Sequence, residues 1–454
     1  MSELPIDTLV IGAGISGLVC AHELRRATSA ASVRVLEASA RAGGLVRTLA
    51  QDGFRFEEGP EALPGNARTV RALCTELGVG VSESPRDAQK RFLLLQGKLV
   101  EVPSAPEDLA TSRVVSFGAK LRLMAEATCA RDVALDGSIA DFARHRLGEE
   151  ALERVVDPLV AGIHAGDPEQ LSLRACFPEV ARMVEEHGSL TAAMKARAKA
   201  KKEHKESEGG TPLSGAMFRP AGGMEALATA LARALEGVLR TNARVRALER
   251  AGEGWRVLEE SGASHAARRV VLALPLGPAR ALLAGPAPDA AAALATMQAE
   301  NLVSVVHAYR RADVSHALDG FGYLVPKSAG GVVLGTLFSS SLDPSTAPPG
   351  QVLLRSLVGG ARHPAAGELS DAELLERVAQ ECGPALGLAR APLLARVARY
   401  PGVIPRFDLA HPARREHLAR ALPSGLNVLG NFTRGIGLES LASEARALAR
   451  ALGA

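Results

Sequence analysis

Aromatic residues are scarce in this 454-residue chain: 11 Phe, 3 Tyr and 1 Trp, or 3%. Proteins that grip single-stranded nucleic acid stack bases on such rings, so the composition weighs against that class. Neither sign of charge dominates, because 53 basic and 50 acidic side chains leave a net +3 and no polyanion signal. The five cysteines (Cys20, Cys74, Cys129, Cys176 and Cys382) lie far apart and form no CxxC. That excludes a zinc ribbon or disulfide framework as the organising feature and fits a reducing compartment. No bilayer-spanning run is present; the most apolar stretch near the start, Leu9 to Ala21, is short and holds three glycines. Met1 to Asp7 lacks the basic start of a signal peptide. The expectation is a cytoplasmic protein, with peripheral contact at the inner face of the cell membrane left open.

What is present is an ordinary globular balance, 47% hydrophobic and 23% charged, over roughly three domains' worth of chain. Such a chain buries a large core without staples. Residues 8–12 read as a buried strand, Ser16 to Arg26 as a helix and Val33 to Glu37 as a second strand. A strand, glycine turn, helix and strand in that order make a βαβ unit with a parallel sheet. From Ser104 to Glu208 the pattern changes to long helices with few strand signals. Lys195 to Glu206 is strongly basic. It suits either an anionic membrane surface or a solvated helix end, and the second is favoured because large apolar residues are nearly absent. Strand-like runs return near Val245 and at Trp255–Leu258, Val270–Leu274, Val303–Tyr309, Gly331–Phe338 and Val352–Val358. A short strand at Asn427, a glycine turn and a helix from about Ser440 to Ala451 close the chain.

Gly12-Ala13-Gly14-Ile15-Ser16-Gly17 follows the first strand and opens the first helix. In that context Gly12 permits the tight turn, Gly14 lets backbone approach a pyrophosphate, and Gly17 lets the helix pack on the sheet. Glu37, 20 residues after Gly17, can accept both ribose hydroxyls of an adenosine and would repel a 2′-phosphate. Next come Ala38, Arg41, Gly43, Gly44 and Leu45, a glycine pair beside a fork-shaped cation, suited to phosphate oxygens. Near the C-terminus, Gly430 to Leu438 repeats the strand, glycines and helix order and can aim a helix N-terminus at developing negative charge. The 11 histidines show no HExxH, and no metal site or nucleophile triad is expected.

These motifs resemble those of the flavoproteins that include amine oxidases, phytoene desaturases and protoporphyrinogen oxidases. Further segments narrow the likeness to the protoporphyrinogen and coproporphyrinogen oxidases: Phe56–Pro60, Ala165–Ser172, Gly320–Pro326, Leu334–Ser340, Val358–Arg362 and Tyr400–Pro405. The resemblance implies an α/β plus α+β architecture. A Rossmann-like FAD-binding domain would comprise residues 1–68, 213–275 and 405–454, and an antiparallel-sheet substrate domain residues 69–98 and 276–404. A helical, membrane-associating domain would span 99–212. It implies FAD contacts from Gly12 to Gly17, Glu37, Ala38, Arg41, Gly44, Leu45, Gly59, Pro60, Glu61, Ala62, Val245, Tyr400, Ile436, Gly437 and Leu438. A substrate chamber would be lined near Gly166, Leu324, Leu337 and Leu357, with Arg91 holding a propionate. Arg91 has its own physical case, since a carboxylate-bearing tetrapyrrole in an apolar chamber needs a fixed cation; a surface arginine beside Lys90 is the plain alternative.

The activity so implied is six-electron oxidation of protoporphyrinogen IX to protoporphyrin IX by O2 with release of H2O2, in heme biosynthesis. The flavin would do the chemistry with no catalytic side chain. Coproporphyrinogen III as substrate, an amine oxidase or carotenoid desaturase on the same scaffold, a FAD-binding protein without turnover, and a homodimer are the alternatives left open. Three departures bear on the substrate: Leu357 where some relatives have an aromatic, Tyr400 in place of Trp, and Glu61, whose carboxylate could repel a propionate or point at backbone.

Overall fold

The apolar run Ile6–Ile11 becomes the centre of a seven-stranded sheet, as a strand buried on both faces must. The structure, a computed structural model, describes residues 6–27, 32–103, 108, 111–128, 135–196, 199 and 217–453. Ile6–Ile11 pairs in parallel with Val33–Leu36 on one side and Ser264–Ala273 on the other. Leu239–Arg240 and Leu426–Leu429 add parallel pairs outside these two. Gly254–Glu259 and Val245–Ala251 continue from Ser264–Ala273 as an antiparallel meander. The helices Ile15–Ala27, Glu225–Ala234 and Leu438–Gly453 cover one face. Leu276–Leu283, Pro288–Ala295 and His411–Ala421 cover the other.

A second seven-stranded sheet runs in the order Leu394–Pro405, Ala299–Arg310, Gln351–Gly359, Val333–Leu337, Gly322–Leu324, Arg91–Leu95, Lys98–Glu101. It is antiparallel as expected except at one place, where Gly322–Leu324 runs parallel to Arg91–Leu95. The exception arises because the Arg91–Leu95 hairpin arrives from a distant part of the chain, so no tight turn fixes its direction. The helix Asp371–Leu386, opened by a Ser370–Glu373 capping box, seals one face with Leu374, Val378, Cys382 and Leu386. The opposite face is where the predicted chamber residues lie.

The region expected to be helical contains one longer helical run and several short helices. Among the described residues it has Phe117–Met124, Ile139–Arg146, a continuous run of Glu149–Ala151, the π-helical turn Leu152–Val156 and Asp157–His164, then Leu173–Cys176 and Pro178–His187. Gly148, Ala165 and Gly188, all at positive φ, and Pro178 at a helix start separate these helices, whereas Pro158 sits inside the continuous run 149–164. Phe117–Met124 packs Ala119 and Leu123 inward. Its other face leaves Phe117, Leu121 and Met124 exposed, at 75%, 52% and 71%. The basic stretch Lys195 to Glu206 lies almost wholly outside the described residues. Among the described residues, no helix is long and apolar enough to cross a membrane.

Candidate functional site

Three parallel strands end together. Ile11 is paired with Leu272, Leu272 with Val428, and Ala273 with Leu429. Both glycine turns, Gly12–Gly17 and Gly430–Leu438, therefore leave the same carboxyl edge of the first sheet, where open α/β sheets bind nucleotides. Gly12 has φ +101°, and a Cβ there would stand 2.2 Å from the Ala273 carbonyl oxygen. A Cβ on Gly17 would lie 1.9 Å from the Gly12 oxygen, so the helix can sit this close only with glycine. Gly14 is different: its missing Cβ faces open space, at the N-terminus of Ile15–Ala27.

Glu37 follows Val33–Leu36. Its Oε2 accepts the Ala13 N–H at 2.7 Å, and its Oε1 accepts the Ser39 N–H and hydroxyl at 2.8 and 2.7 Å. Ala243 N–H donates to the Glu37 carbonyl at 2.8 Å, which brings the start of Val245–Ala251 alongside. Gly43 bridges Gly14 and donates to the Ala13 oxygen at 2.7 Å. Arg41, expected to fork onto phosphate, also braces the loop that carries it. Its guanidinium donates to the Ala42, Val46 and Gly44 carbonyls and to Glu225 Oε1 at 3.0 Å, so it shapes the glycine loop from beneath. Leu45, 47% exposed, is an apolar side chain standing open beside Gly14 and Gly44. Gly59 packs against the backbone of Leu45, since a Cβ there would meet the Leu45 carbonyl oxygen at 2.0 Å. Gly437 also faces open space at the start of Leu438–Gly453. An anion-ready helix end, a ribose-side carboxylate and an open apolar shelf are what a dinucleotide carrying an aromatic ring system needs, so the residues fit FAD.

The second sheet presents its residues one per strand. Arg91, Gly322, Leu337 and Arg355 stand in register across four neighbouring strands. One row over are Leu93, Leu324, Gly335, Leu357 and Ser304. Alternation sends Phe92, Tyr323 and Val358 to the sealed core and leaves these rows on the other face. The helix Asp157–His164 lies over Leu324, because a Cβ on Gly162 would come within 2.4 Å of its Cδ2. Gly166 just beyond is buried against Leu171, with Ala165 accepting the Ala361 N–H at 2.7 Å. His164, between them, has its pKa pushed down to about 4 by burial and is neutral at pH 7. Arg91 sits at the rim, its guanidinium carbon 5.4 Å from the centre of the Phe321 ring. Of the predicted chamber residues, Arg91 alone carries charge.

Between the sheets lies the segment Glu58–Ala62. Tyr400, on the same face as the two rows, donates its hydroxyl to the Glu58 carbonyl. Glu61 neither points at backbone nor stands free. It is buried, with Arg219 Nη2 at 3.4 Å and Arg355 Nη1 at 3.3 Å. Beside it, Glu57 accepts the Met224 N–H and the Thr48 hydroxyl, and burial raises its pKa to about 7. Sequence reasoning did not single out Arg355, Arg219 or the buried pair Arg362–Asp157, 2.7 Å apart, which ties Gly360–Arg362 to the Asp157–His164 helix. The available signal was a charged residue, Arg355, in the middle of the leucine- and valine-rich strand Gln351–Gly359. A cavity of about 800 Å³ beside Thr48–Ala50 and Glu225–Ala234 is lined by none of the predicted residues.

A nucleotide crevice joined to an apolar sheet face defines a flavin-dependent oxidoreductase. The sequence pattern of the flavin containing amine oxidoreductases matches residues 15–427, and the chain belongs to that family. It is 31% identical to the chloroplastic protoporphyrinogen oxidase of Oryza sativa subsp. japonica, over 96% of this chain and 86% of that one. It is 24% identical to the coproporphyrinogen III oxidase of Bacillus subtilis (strain 168), over 98% of each. A crystal structure from Exiguobacterium sp. 255-15, provisionally assigned as a protoporphyrinogen oxidase, shares the fold, with TM-score 0.82, 22% identity and 99% of each chain covered. The chain is thus an FAD-dependent oxidoreductase, and the α/β plus α+β architecture is that of this class.

Proposed function

We propose that the chain oxidises protoporphyrinogen IX to protoporphyrin IX in heme biosynthesis. Six electrons and six protons leave the macrocycle, and three O2 become three H2O2. The observation that carries this reading is a sheet face bearing Leu324, Leu337 and Leu357, with Arg91 at its rim and the Gly59 segment set against it. FAD, when bound, supplies the hydride acceptor and passes the electrons to O2. Gly12–Gly17 and Glu37 would hold its adenosine diphosphate, while Gly44, Leu45, Gly59–Ala62 and Ile436–Leu438 would hold the ring system. Leu324, Leu337 and Leu357 bury the macrocycle's apolar surface and exclude water, and Arg91 orients it through a propionate. Around these residues no side chain is needed as acid or base, consistent with a neutral His164.

Coproporphyrinogen III is the second reading, supported by the full-length likeness to the Bacillus relative. Purified holoprotein given each porphyrinogen separately decides. Faster O2 uptake and porphyrin fluorescence growth with protoporphyrinogen IX are expected, and no uptake with either would refute both readings. We also propose peripheral membrane contact through the exposed Phe117, Leu121 and Met124 face. A Phe117→Asp/Leu121→Asp variant should then float less with liposomes than the parent.

A further inference from the structure

Arg355 is 5% exposed in the middle of Gln351–Gly359, a costly place for a guanidinium unless its donors are met. They are met almost entirely by one loop. Nη1 donates to the Gly59 carbonyl at 2.6 Å and reaches Glu61 Oε2 at 3.3 Å, and Nη2 donates to the Glu58 carbonyl at 3.0 Å. Nε donates to Ser304 Oγ at 2.7 Å on the neighbouring strand, which ties the guanidinium to that strand as well. The Tyr400 hydroxyl reaches the same Glu58 carbonyl from the edge strand. The loop is therefore gripped from two strands of the second sheet, while its Gly59 rests on Leu45 of the first-sheet crevice. Two residues along the same strand and on the same face stands Leu357, and Leu337 is in register with Arg355 itself. One rigid strand carries both the chamber wall and the clamp on the cofactor loop.

We propose that Arg355 is a positioning residue that sets the flavin-facing segment Glu58–Glu61 at a fixed distance from the substrate wall. This rests on the FAD site described above and deepens the proposed function. A role as a second propionate anchor does not fit, because its donors are already engaged by Ser304, the two carbonyls and Glu61. A fixed separation matters because hydride transfer needs the reacting atoms held close, and a displacement of about 1 Å costs on the order of 100-fold in rate.

The test compares Arg355→Met, Arg355→Lys and Arg355→Met/Glu61→Gln, each loaded with FAD, with the parent. Glu61 keeps Arg219 at 3.4 Å when Arg355 is removed, and the double variant, which takes away both charges of the 3.3 Å pair, remains informative if Arg355→Met alone loses stability. Measured are the visible flavin spectrum and fluorescence, FAD affinity, melting temperature, and kcat and KM for the porphyrinogen. The expected result is an altered flavin spectrum and a kcat lowered by roughly 10- to 100-fold with KM within about 3-fold. Lysine should recover part of the loss, and the double variant should regain melting temperature but not kcat. An unchanged spectrum with unchanged kcat in the folded double variant overturns the proposal, as does a rise in KM alone, which would mark a substrate anchor. If the parent itself turns over no porphyrinogen, the functional reading fails instead, and the spectrum and FAD affinity still decide the role of Arg355.

Discussion

The two seven-stranded sheets contribute to the site in opposite ways. The first delivers contiguous stretches, Gly12–Gly17, Arg41–Leu45 and Gly435–Leu438, from strand ends and the turns that follow. The second delivers single residues from successive strands, Arg91, Leu324, Leu337, Arg355 and Leu357, aligned only by register. The tolerances differ as well. At Gly12 and Gly17 an added methyl would collide with backbone at 2.2 and 1.9 Å, while the Leu324–Gly335–Leu357 row contains a glycine and partly open leucines that can repack. A backbone-built crevice is all-or-none, and a wall of side chains is adjustable.

Gly12→Val tests the rigid half and should have the largest effect. The clash with the Ala273 carbonyl and the positive φ together should cost more than about 4 kcal/mol, with flavin lost on purification. Thermal melting and flavin content check it. A variant that kept its flavin would put the two sheets on a par.

At the seam between the sheets, Glu57 makes the comparison pH-dependent. Its folded pKa of about 7 lies above the model-peptide 4.5, so the folded state binds the proton more tightly than the unfolded one. Its contribution is fully present below pH 4.5, falls as pH rises toward 7, and then levels off, a change of roughly 3 kcal/mol. Denaturant titrations should show the stability of the parent, relative to Glu57→Gln, declining over that window. A constant difference would mean that folding leaves the pKa of Glu57 unshifted.

Arg91→Ala probes the rim of the adjustable half. Loss of one charge-assisted contact should raise KM for the porphyrinogen by roughly 10- to 100-fold, leaving FAD content and kcat near those of the parent. Steady-state kinetics at saturating O2 would show it. An unchanged KM would return Arg91 to the surface-residue reading.

This contrast also explains what could be read from the chain. The Gly12–Gly17 turn, its helix and the strand before Glu37 were legible because turn chemistry and apolar runs are local signals. Strand register is not local, so the alignment of Arg91 with Leu337 and Arg355 left no mark in sequence beyond a lone arginine in a leucine- and valine-rich strand. The Arg91–Glu101 hairpin turns on Gln96 and Gly97, both at positive φ, a signal present but unread. Leu394–Pro405 escaped notice because Pro401 and Gly402 argue against a strand, yet both are tolerated here, at the sheet edge. Arg41 has the spacing of a phosphate ligand, and its contacts to the carbonyls of its own loop and to Glu225 are a second, local role that the spacing did not announce.

Leu357→Phe should have the smallest effect and measures how the adjustable wall discriminates. A porphyrinogen is puckered, with saturated bridges, whereas the porphyrin is flat. Aliphatic side chains grip both by area, but a ring at 357 adds stacking only against the flat product, worth about 0.5–1.5 kcal/mol. Product inhibition by protoporphyrin IX should therefore strengthen about 2- to 10-fold, while KM for the porphyrinogen shifts by no more than about 2-fold. FAD content should not change, because Leu357 lies on the second sheet and not in the glycine crevice. If KM and the product inhibition constant fall together, the chamber holds the substrate in a flattened form, and the poverty of aromatic residues gives no selectivity for release.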